Sequence, residues 1–277
     1  MSRDASVSTA GRFDARRVYT VIVLVPLVYA AIRLLPAVAL TALVLLVGAV
    51  ALVELYRLGL SGELSRPFVA VGLFGFAVLV FGPHVPFLVL PGLLVTLLAA
   101  LSVPLFFESS LDQGLKHIAV TLFGVLYIGT TMSFLAATRL LPDGEWLIFF
   151  LLLVTWTADT GAYYAGTLWG RHRLAPRISP KKSVEGLVGG LFCAITISYL
   201  GSGWFLPMLS SVDCAILGLL LTGFGLWGDL AESALKRSVG AKDSGGVLPG
   251  HGGMLDRLDS LLFTGPAFYY YVTLLKT

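Results

Sequence analysis

The chain has 277 residues, of which 57% are hydrophobic and only 13% are charged, and its mean hydropathy is +0.88. This composition excludes an ordinary water-soluble protein and is typical of a membrane protein. The formal net charge of +3 is spread along the connections between apolar runs. This distribution favours contact with anionic lipid headgroups, and we expect no nucleic-acid partner.

Nine apolar segments approach the length that a helix needs to cross a bilayer core of about 30 Å. The predicted spans are residues 18–35, 37–56, 68–82, 86–107, 118–138, 146–168, 187–208, 214–232 and 254–275. The first and third predictions are the weakest, because the first span carries Arg33 near its end and the third is short. The fold class is therefore predicted to be all-α, a polytopic membrane bundle of about nine helices.

Lysine and arginine residues are unevenly distributed between the two sides of such a bundle. If the amino terminus is cytoplasmic, sixteen of the 19 Lys and Arg residues fall on the inner side, and the outer side keeps Arg33, Arg139 and Lys276. This bias predicts a multi-pass protein of the plasma membrane with a cytoplasmic amino terminus. A cleaved signal at the amino terminus is the alternative, although the first apolar run reads more naturally as half of a helical hairpin.

We expect a single membrane domain over residues 1–277, since no soluble domain or long linker interrupts the spans. Residues 1–145 contain spans without a distinctive motif, whereas residues 146–277 contain two polar motif segments. Small residues four apart, such as Gly186 and Gly190, predict close packing between the sixth and seventh spans.

The most informative segment is the polar stretch from Ser233 to Asp259, S-A-L-K-R-S-V-G-A-K-D-S-G-G-V-L-P-G-H-G-G-M-L-D-R-L-D. Cations, carboxylates and glycines alternate in it beside membrane-length helices. This pattern suits a metal ion that holds a phosphorylated ligand at the bilayer surface. An ordinary solvated loop is the alternative.

Carboxylates lie just before this stretch and at its end. Asp229, Glu232 and Lys236 share one helical face if the eighth span continues, and Asp256 and Asp259 share a face at the start of the ninth. Opposed carboxylates from two helix ends would make the oxygen-rich pocket that Mg²⁺ prefers. The alternatives are an ion pair of Asp229 with a basic residue of its own helix, and helix capping by Asp256 or Asp259.

Basic residues in and near the two motif segments are the candidates for binding phosphate groups: Lys181, Lys182, Lys236, Arg237, Lys242 and Arg257. Ser179 precedes the seventh span, where a helix amino terminus offers free N–H groups to phosphate. Glu185 is expected to cap that helix. His251 either donates to a phosphate or is an ordinary loop residue.

Two further acidic residues lie within apolar spans. Asp159, late in the sixth span, must find a partner, and we expect it to orient a motif lysine or to line the substrate pocket. Glu54 is expected to be an interfacial charge near the inner end of the second span.

The polar stretch, read as S-x-L-K-R-x4-K-D-x-G-x2-L-P-x-H-G-G-M-x-D-R-L-D, resembles the signature of phosphatidate cytidylyltransferases, also called CDP-diacylglycerol synthases. A second block is similar to another recurrent segment of that family. It comprises W-T-A-D-T-G-A-Y-Y-A-G at 156–166 and I-S-P-K-K-S-V-E-G-L-V-G-G at 178–190. The resemblance covers roughly the last 125 residues, and the earlier part of the chain agrees only in hydropathy and length.

The resemblance implies an enzyme that converts CTP and phosphatidate to CDP-diacylglycerol and pyrophosphate. It implies Mg²⁺ held by Asp229 and Asp256, with Asp259 as a further ligand, and it leaves open a second, monovalent cation such as K⁺ and a homodimer. The residues it implies in catalysis are Asp159, Lys236, Arg237, Lys242, Asp243, His251 and Arg257.

Two rival functions stay open at this point. One is a related CTP-dependent enzyme that acts on another lipid, such as a polyprenol kinase or an archaeal-type lipid cytidylyltransferase. The other is an ion-coupled transporter in which Asp159 and Asp229 form the ion pathway. The transporter is disfavoured because the charges concentrate at one rim and no pair of broken helices is evident.

Overall fold

The computed structural model describes residues 15–60, 65–106, 111–245 and 252–275. Its helices are α1 (Ala15–Leu34), α2 (Ala37–Gly59), α3 (Ser65–Phe81), α4 (Val89–Phe106), α5 (Leu111–Gly124), α6 (Thr131–Arg139), α7 (Gly144–Trp169), α8 (Val184–Phe205), α9 (Ser211–Ser238) and α10 (Leu255–Leu275). The π-helical segment Val125–Thr130 joins α5 to α6, and the 3₁₀ turns Gly82–His84 and Pro86–Leu88 connect α3 to α4.

The predicted spans correspond to these helices, with α5, the π-helical segment and α6 forming one span. Within the described residues, seven segments are long and apolar enough to cross a membrane: Ala37–Gly59, Arg66–His84, Pro86–Phe106, Gln113–Arg139, Gly144–Trp169, Val184–Phe205 and Ser211–Ser238. The third predicted span, expected to be weak, is among them. Helices α1 and α10 are not, although both form where spans were predicted. The protein is therefore an all-α polytopic membrane protein, as its composition predicts.

The helices run back and forth, so alternate connections lie at the same end of the bundle. The connection between α7 and α8 and the connection between α9 and α10 share one end, together with the end of α2. These two connections hold the two polar motif segments. The order of the helices thus brings both motif segments to one face of the membrane protein.

Close packing between α7 and α8 is confirmed. A Cβ atom on Gly186 would lie 2.8 Å from the carbonyl oxygen of Ala162, and one on Gly190 would lie 2.8 Å from that of Ala158. Only glycine leaves room for so close an approach of the two backbones. Such close packing stabilises helix association in a bilayer, where the hydrophobic effect does not drive helices together. The start of α8, which carries a motif segment, is thereby fixed against α7.

One hydrophobic cluster connects helices from both halves of the chain. Its buried side chains include Leu52 of α2, Phe76 of α3, Met132 of α6, Leu151 of α7, Leu221 of α9 and Phe268 of α10. Helix α10 packs against α2 and α6 as well as against α7 and α9. The polar residues at the start of α10 are therefore positioned by the early helices too, although those helices carry no motif.

A small β-hairpin interrupts the helical pattern and was not predicted. Strands β1 (Arg173–Ala175) and β2 (Ser179–Ser183) pair antiparallel, with Arg173 opposite Ser183 and Ala175 opposite Ser179. Pro180 is compatible with β2 because each strand of a two-stranded sheet is an edge strand. The hairpin presents Lys181 and Lys182 just before α8 begins.

Candidate functional site

Three carboxylates lie within electrostatic range of one another near the crossing of α9 and α10. A Cβ atom on Gly228 would collide with the carbonyl oxygen of Asp259, so the two backbones are in close contact there. Asp229 directly follows this glycine and is brought beside Asp259. Asp259 lies within electrostatic range of Asp229, Glu232 and Asp159, the last contributed by α7. We call Asp159, Asp229 and Asp259 the acidic cluster.

A lysine of the hairpin is paired with the acidic cluster. The Nζ atom of Lys182 lies 2.7 Å from Oδ2 of Asp229, and the two side chains keep 21% and 34% of their exposure. The predicted alternative for Asp229, an ion pair within its own helix, is therefore wrong in its partner, because the pairing lysine comes from β2. Asp159 interacts with the same lysine, and also with Ser260 of α10.

A second set of charges lies nearer the end of the bundle. The buried Lys236 places Nζ 2.7 Å from Oε2 of Glu232, one turn earlier on α9, and also donates to Oδ1 of Asp256 on α10. The shared face predicted for this part of α9 is thus present. Lys236 was expected to contact phosphate, but in this structure two carboxylates enclose it.

Asp256 is also bonded to the loop between α9 and α10. Its Oδ2 atom accepts hydrogen bonds from the amide of Ser244 at 3.0 Å, the hydroxyl of Ser244 at 2.9 Å and the amide of Gly253 at 2.8 Å. These donors come from the two parts of the α9–α10 loop that the structure describes. Asp256 therefore fixes the two described ends of the loop to the start of α10.

Glu54 was expected to be an interfacial charge, and this expectation is wrong. Its side chain is only 1% exposed, and its Oε2 atom accepts hydrogen bonds from the amide of Leu255 at 2.8 Å and the hydroxyl of Ser244 at 3.2 Å. Helix α2 continues to Gly59, which leaves Glu54 more than a turn inside it. The signal that could have identified Glu54 is the one used for Asp159, an ionisable side chain inside an apolar span.

The hairpin has its own polar contacts, and they correct the expectation for Glu185. Ser183 caps α8 by accepting a hydrogen bond from the amide of Gly186 at 3.1 Å. Glu185 instead lies 2.6 Å from Nδ1 of His172 and accepts hydrogen bonds from the amides of His172 and Arg171. The carboxylate therefore fastens the start of the hairpin to the first turn of α8.

The remaining predicted residues surround this core of contacts. Arg237 is exposed, and its Nη1 atom donates to the carbonyl oxygen of Ala241 at 3.2 Å, which closes the end of α9. Ser179 is half-buried in β2, and His251 lies outside the described residues. The other side chains are exposed at this end of the bundle: Lys181, Lys242, Asp243 and Arg257.

The donor set of the acidic cluster suits a hard cation that arrives with a ligand. In the described part of the chain, no three His, Cys, Asp or Glu side chains are arranged to hold a metal ion by themselves. The cluster nevertheless contains three carboxylates and a single nearby lysine, Lys182, which is paired with Asp229. Their negative charge therefore exceeds the positive charge of this lysine. Mg²⁺ is usually bound by one or two carboxylates together with water and substrate phosphates. The residues therefore fit Mg²⁺ in company with a phosphorylated ligand.

Comparison with known proteins gives consistent results. A family model described as "Cytidylyltransferase family" matches residues 15–275. The chain is 44% identical to proteins named phosphatidate cytidylyltransferase from Staphylococcus saprophyticus subsp. saprophyticus and Staphylococcus aureus, over 53% of this chain and 56% of each relative. A protein of the same name from Staphylococcus haemolyticus is 43% identical over the same shares. The chain thus spans about half the length of the curated relatives it matches.

Proposed function

The chain belongs to the cytidylyltransferase family, and from this premise we propose that it transfers the CMP group of CTP to phosphatidate, giving CDP-diacylglycerol and pyrophosphate. The observation that carries the proposal is the acidic cluster, which three helices bring together beside Lys182 of a motif segment. The names of the matched relatives support the same activity.

The chemistry explains why a site needs these residue types. A phosphate oxygen of the lipid attacks the α-phosphorus of CTP, a new P–O bond forms, and the bond to the β-phosphate oxygen breaks so that pyrophosphate leaves. A phosphate monoester is already ionised at neutral pH, so the attacking oxygen needs no strong base. The protein must instead hold two polyanions close together and in line, which requires positive charge and a fixed geometry.

Asp229, Asp256 and Asp259 are the residues proposed to hold Mg²⁺, and a monovalent cation such as K⁺ is proposed as a second ion. When bound, Mg²⁺ supplies positive charge at the α-phosphate and the leaving pyrophosphate. Asp229 directly follows Gly228, where α9 crosses Asp259 of α10, and the two carboxylates lie within electrostatic range of each other. Asp256 shares this end of α10 but is engaged by loop donors, so its first role is to fix the loop.

The basic residues divide into two groups by their surroundings. Lys236 is buried between Glu232 and Asp256, and we propose that it acts through Asp256 as a positioning residue. Lys182 is half-exposed beside Asp229 and can exchange this partner for a phosphate oxygen. The exposed cations at the same end are proposed to bind the triphosphate or the lipid phosphate: Lys181, Arg237, Lys242 and Arg257. Roles for Ser179, Asp243 and His251 stay predictions.

The membrane location follows from the apolar helices, and its finer details are part of the proposal. We propose the plasma membrane, with the end that carries the motif segments facing the cytoplasm, where CTP is found. The distribution of Lys and Arg supports this orientation. Association into a homodimer stays a prediction. The ion-coupled transporter is not supported, because the family is one of cytidylyltransferases and the charged groups gather at one end of the bundle.

The experiment that tests the function is pyrophosphate release by the purified protein in lipid micelles. CTP is compared with ATP, GTP and UTP, and phosphatidate with a polyprenyl phosphate and with diacylglycerol, which lacks the phosphate. We expect release only with CTP, phosphatidate and Mg²⁺ together. Release with a polyprenyl phosphate but not with phosphatidate would identify the related enzyme on another lipid, and no release in any arm from folded protein would reject the activity.

A further inference from the structure

The span Gln113–Arg139 contains a π-helical segment, Val125–Thr130, between two α-helical parts. Such segments have a less favourable hydrogen-bond geometry than the α-helix and occur frequently at functional sites. No proline in this span forces the irregularity. Tyr127 lies within the segment, so the turn of the backbone decides where its side chain points.

The ring of Tyr127 is directed toward α10 and the acidic cluster. It packs edge-to-face on Phe263 with 6.3 Å between ring centroids, and it stacks on Phe123 at 5.5 Å. Phe263 is one helical turn beyond Asp259. Tyr127 also lies within electrostatic range of Asp259 and Glu232. An aromatic residue from the part of the chain without motifs therefore reaches the proposed active site.

The hydroxyl of Tyr127 is buried and has no hydrogen-bond partner among the described residues. A buried hydroxyl without a partner is unfavourable, so its presence calls for a reason. Tyr56 provides a contrast in the same region, because its buried hydroxyl donates to the carbonyl oxygen of Thr121 at 2.7 Å. One tyrosine is thus satisfied within the protein, whereas the other has a donor left for a ligand.

The position along α10 indicates which ligand this donor meets. Helix α10 begins at Leu255, after the polar loop, so Phe263 lies deeper in the membrane than Asp259. On this deeper side Phe263 contacts Trp227, whose side chain is 62% exposed on a helix long and apolar enough to cross a membrane. Tyr127 is therefore on the lipid side of the acidic cluster, and the polar loop is on the other side.

We propose that Tyr127 is a substrate-binding residue whose hydroxyl donates a hydrogen bond to a phosphate oxygen of the lipid substrate. The proposal rests on the proposed function, since it assigns one substrate of that reaction to one side of the site. A phosphate dianion offers only acceptors, and the hydroxyl of Tyr127 is a donor that has no other partner among the described residues. The polar loop and the hairpin are left for the nucleotide.

The test compares Tyr127→Phe with the matched control Tyr56→Phe, since each variant removes one buried hydroxyl. Initial rates of CDP-diacylglycerol formation give separate KM values for phosphatidate and CTP. In parallel, the rise in Tm that phosphatidate produces without CTP is measured in detergent micelles, with diacylglycerol as the lipid without phosphate. For Tyr127→Phe we expect the KM for phosphatidate to rise by about tenfold or more, as for loss of a hydrogen bond to a charged group, with the KM for CTP unchanged.

The two variants should also differ in stability. Tyr127→Phe should keep the wild-type Tm and lose most of the phosphatidate-induced rise, whereas Tyr56→Phe should have a lower Tm and keep that rise. A wild-type phosphatidate response in Tyr127→Phe, an equal rise in both KM values, or a Tm lowered as in Tyr56→Phe would overturn the proposal. If the wild-type protein forms no product, the proposed function fails, and the phosphatidate-induced rise in Tm still decides the role of Tyr127.

Discussion

Lys236 and Asp256 form an ion pair that closes the loop between α9 and α10. The ammonium group of Lys236 on α9 donates to one carboxylate oxygen of Asp256. The other oxygen accepts hydrogen bonds from the amides of Ser244 and Gly253. The two helices that carry Asp229 and Asp259 are thus tied together at their ends. The geometry of the acidic cluster depends on this pair as well as on the close crossing at Gly228.

Replacing Lys236 with Met should destabilise the protein strongly. The change keeps a similar volume but leaves the carboxylates of Glu232 and Asp256 without their common partner, and breaking a buried pair costs about 3–5 kcal/mol. Denaturant unfolding in micelles measures the difference. Arg237→Met is the matched control, because Arg237 is exposed and should contribute little to stability. Equal free energies of unfolding for the two variants would show that the pair does not hold the loop.

The variants Asp229→Asn and Asp256→Asn should differ in their effect on stability. Asp229→Asn removes a half-exposed partner of Lys182, so stability should change by less than about 1 kcal/mol while turnover falls by orders of magnitude. Asp256→Asn should lower both turnover and stability, because Asp256 is bonded to Lys236 and the loop. Turnover and Tm are measured on the same preparations over a range of Mg²⁺ concentrations. Wild-type turnover with an unchanged Mg²⁺ requirement in both variants would contradict the metal assignment.

Removing the buried carboxylate of Glu54 should loosen the start of α10. In Glu54→Leu, the amide of Leu255 loses its acceptor, and a buried donor left without a partner costs about 1–3 kcal/mol, whereas the hydroxyl of Ser244 still has Asp256 as an acceptor. Glu54→Gln keeps an acceptor oxygen and should retain most of the stability and activity. Thermal unfolding and turnover of both variants test the role. If Glu54→Leu were as stable and active as the wild-type protein, Glu54 would not position the site.

Adding a methyl group at Gly228 should separate α9 from α10. In Gly228→Ala the new Cβ meets the carbonyl oxygen of Asp259, and overpacking of this kind costs about 1–3 kcal/mol. The displacement should also lower turnover, because it moves Asp229 away from Asp259. Gly223→Ala, on the same helix, is the control, since nothing lies within 4 Å of its new Cβ. Similar Tm and turnover for the two variants would argue against the crossing as the origin of the site.

The features that were predictable from the sequence depend on periodicity within one segment. Hydropathy over about 20 residues located the spans, because each helix must satisfy its backbone groups and its length is set by the bilayer. The common face of Glu232 and Lys236 follows from helical spacing alone, and the 2.7 Å contact confirms it. Close packing at Gly186 and Gly190 was predictable because small residues four apart let the backbones of neighbouring membrane helices approach closely.

The features that were missed depend on partners that are distant in sequence. Lys182 and Asp229 are brought together by a hairpin that has no periodic signal, and Glu54 meets Leu255 across 201 positions of sequence. The π-helical segment at Tyr127 carries no proline or other marker. The Lys182–Asp229 pair depends on how the hairpin packs against α9, and the other two features depend on how α2, the α5–α6 span and α10 pack together. No local sequence pattern records this packing.

The central claim is that the acidic cluster is the site of CMP transfer, and Asp259 tests it most directly. In the described structure its carboxylate has no hydrogen bond to Lys182 or to the α9–α10 loop, so its replacement should leave both in place. The measurement is the rate of CDP-diacylglycerol formation from CTP and phosphatidate by the wild-type protein and by Asp259→Asn of equal Tm. The account predicts Mg²⁺-dependent product from the wild-type protein and a rate lower by orders of magnitude in the variant. A folded Asp259→Asn variant that forms product at the wild-type rate would contradict it.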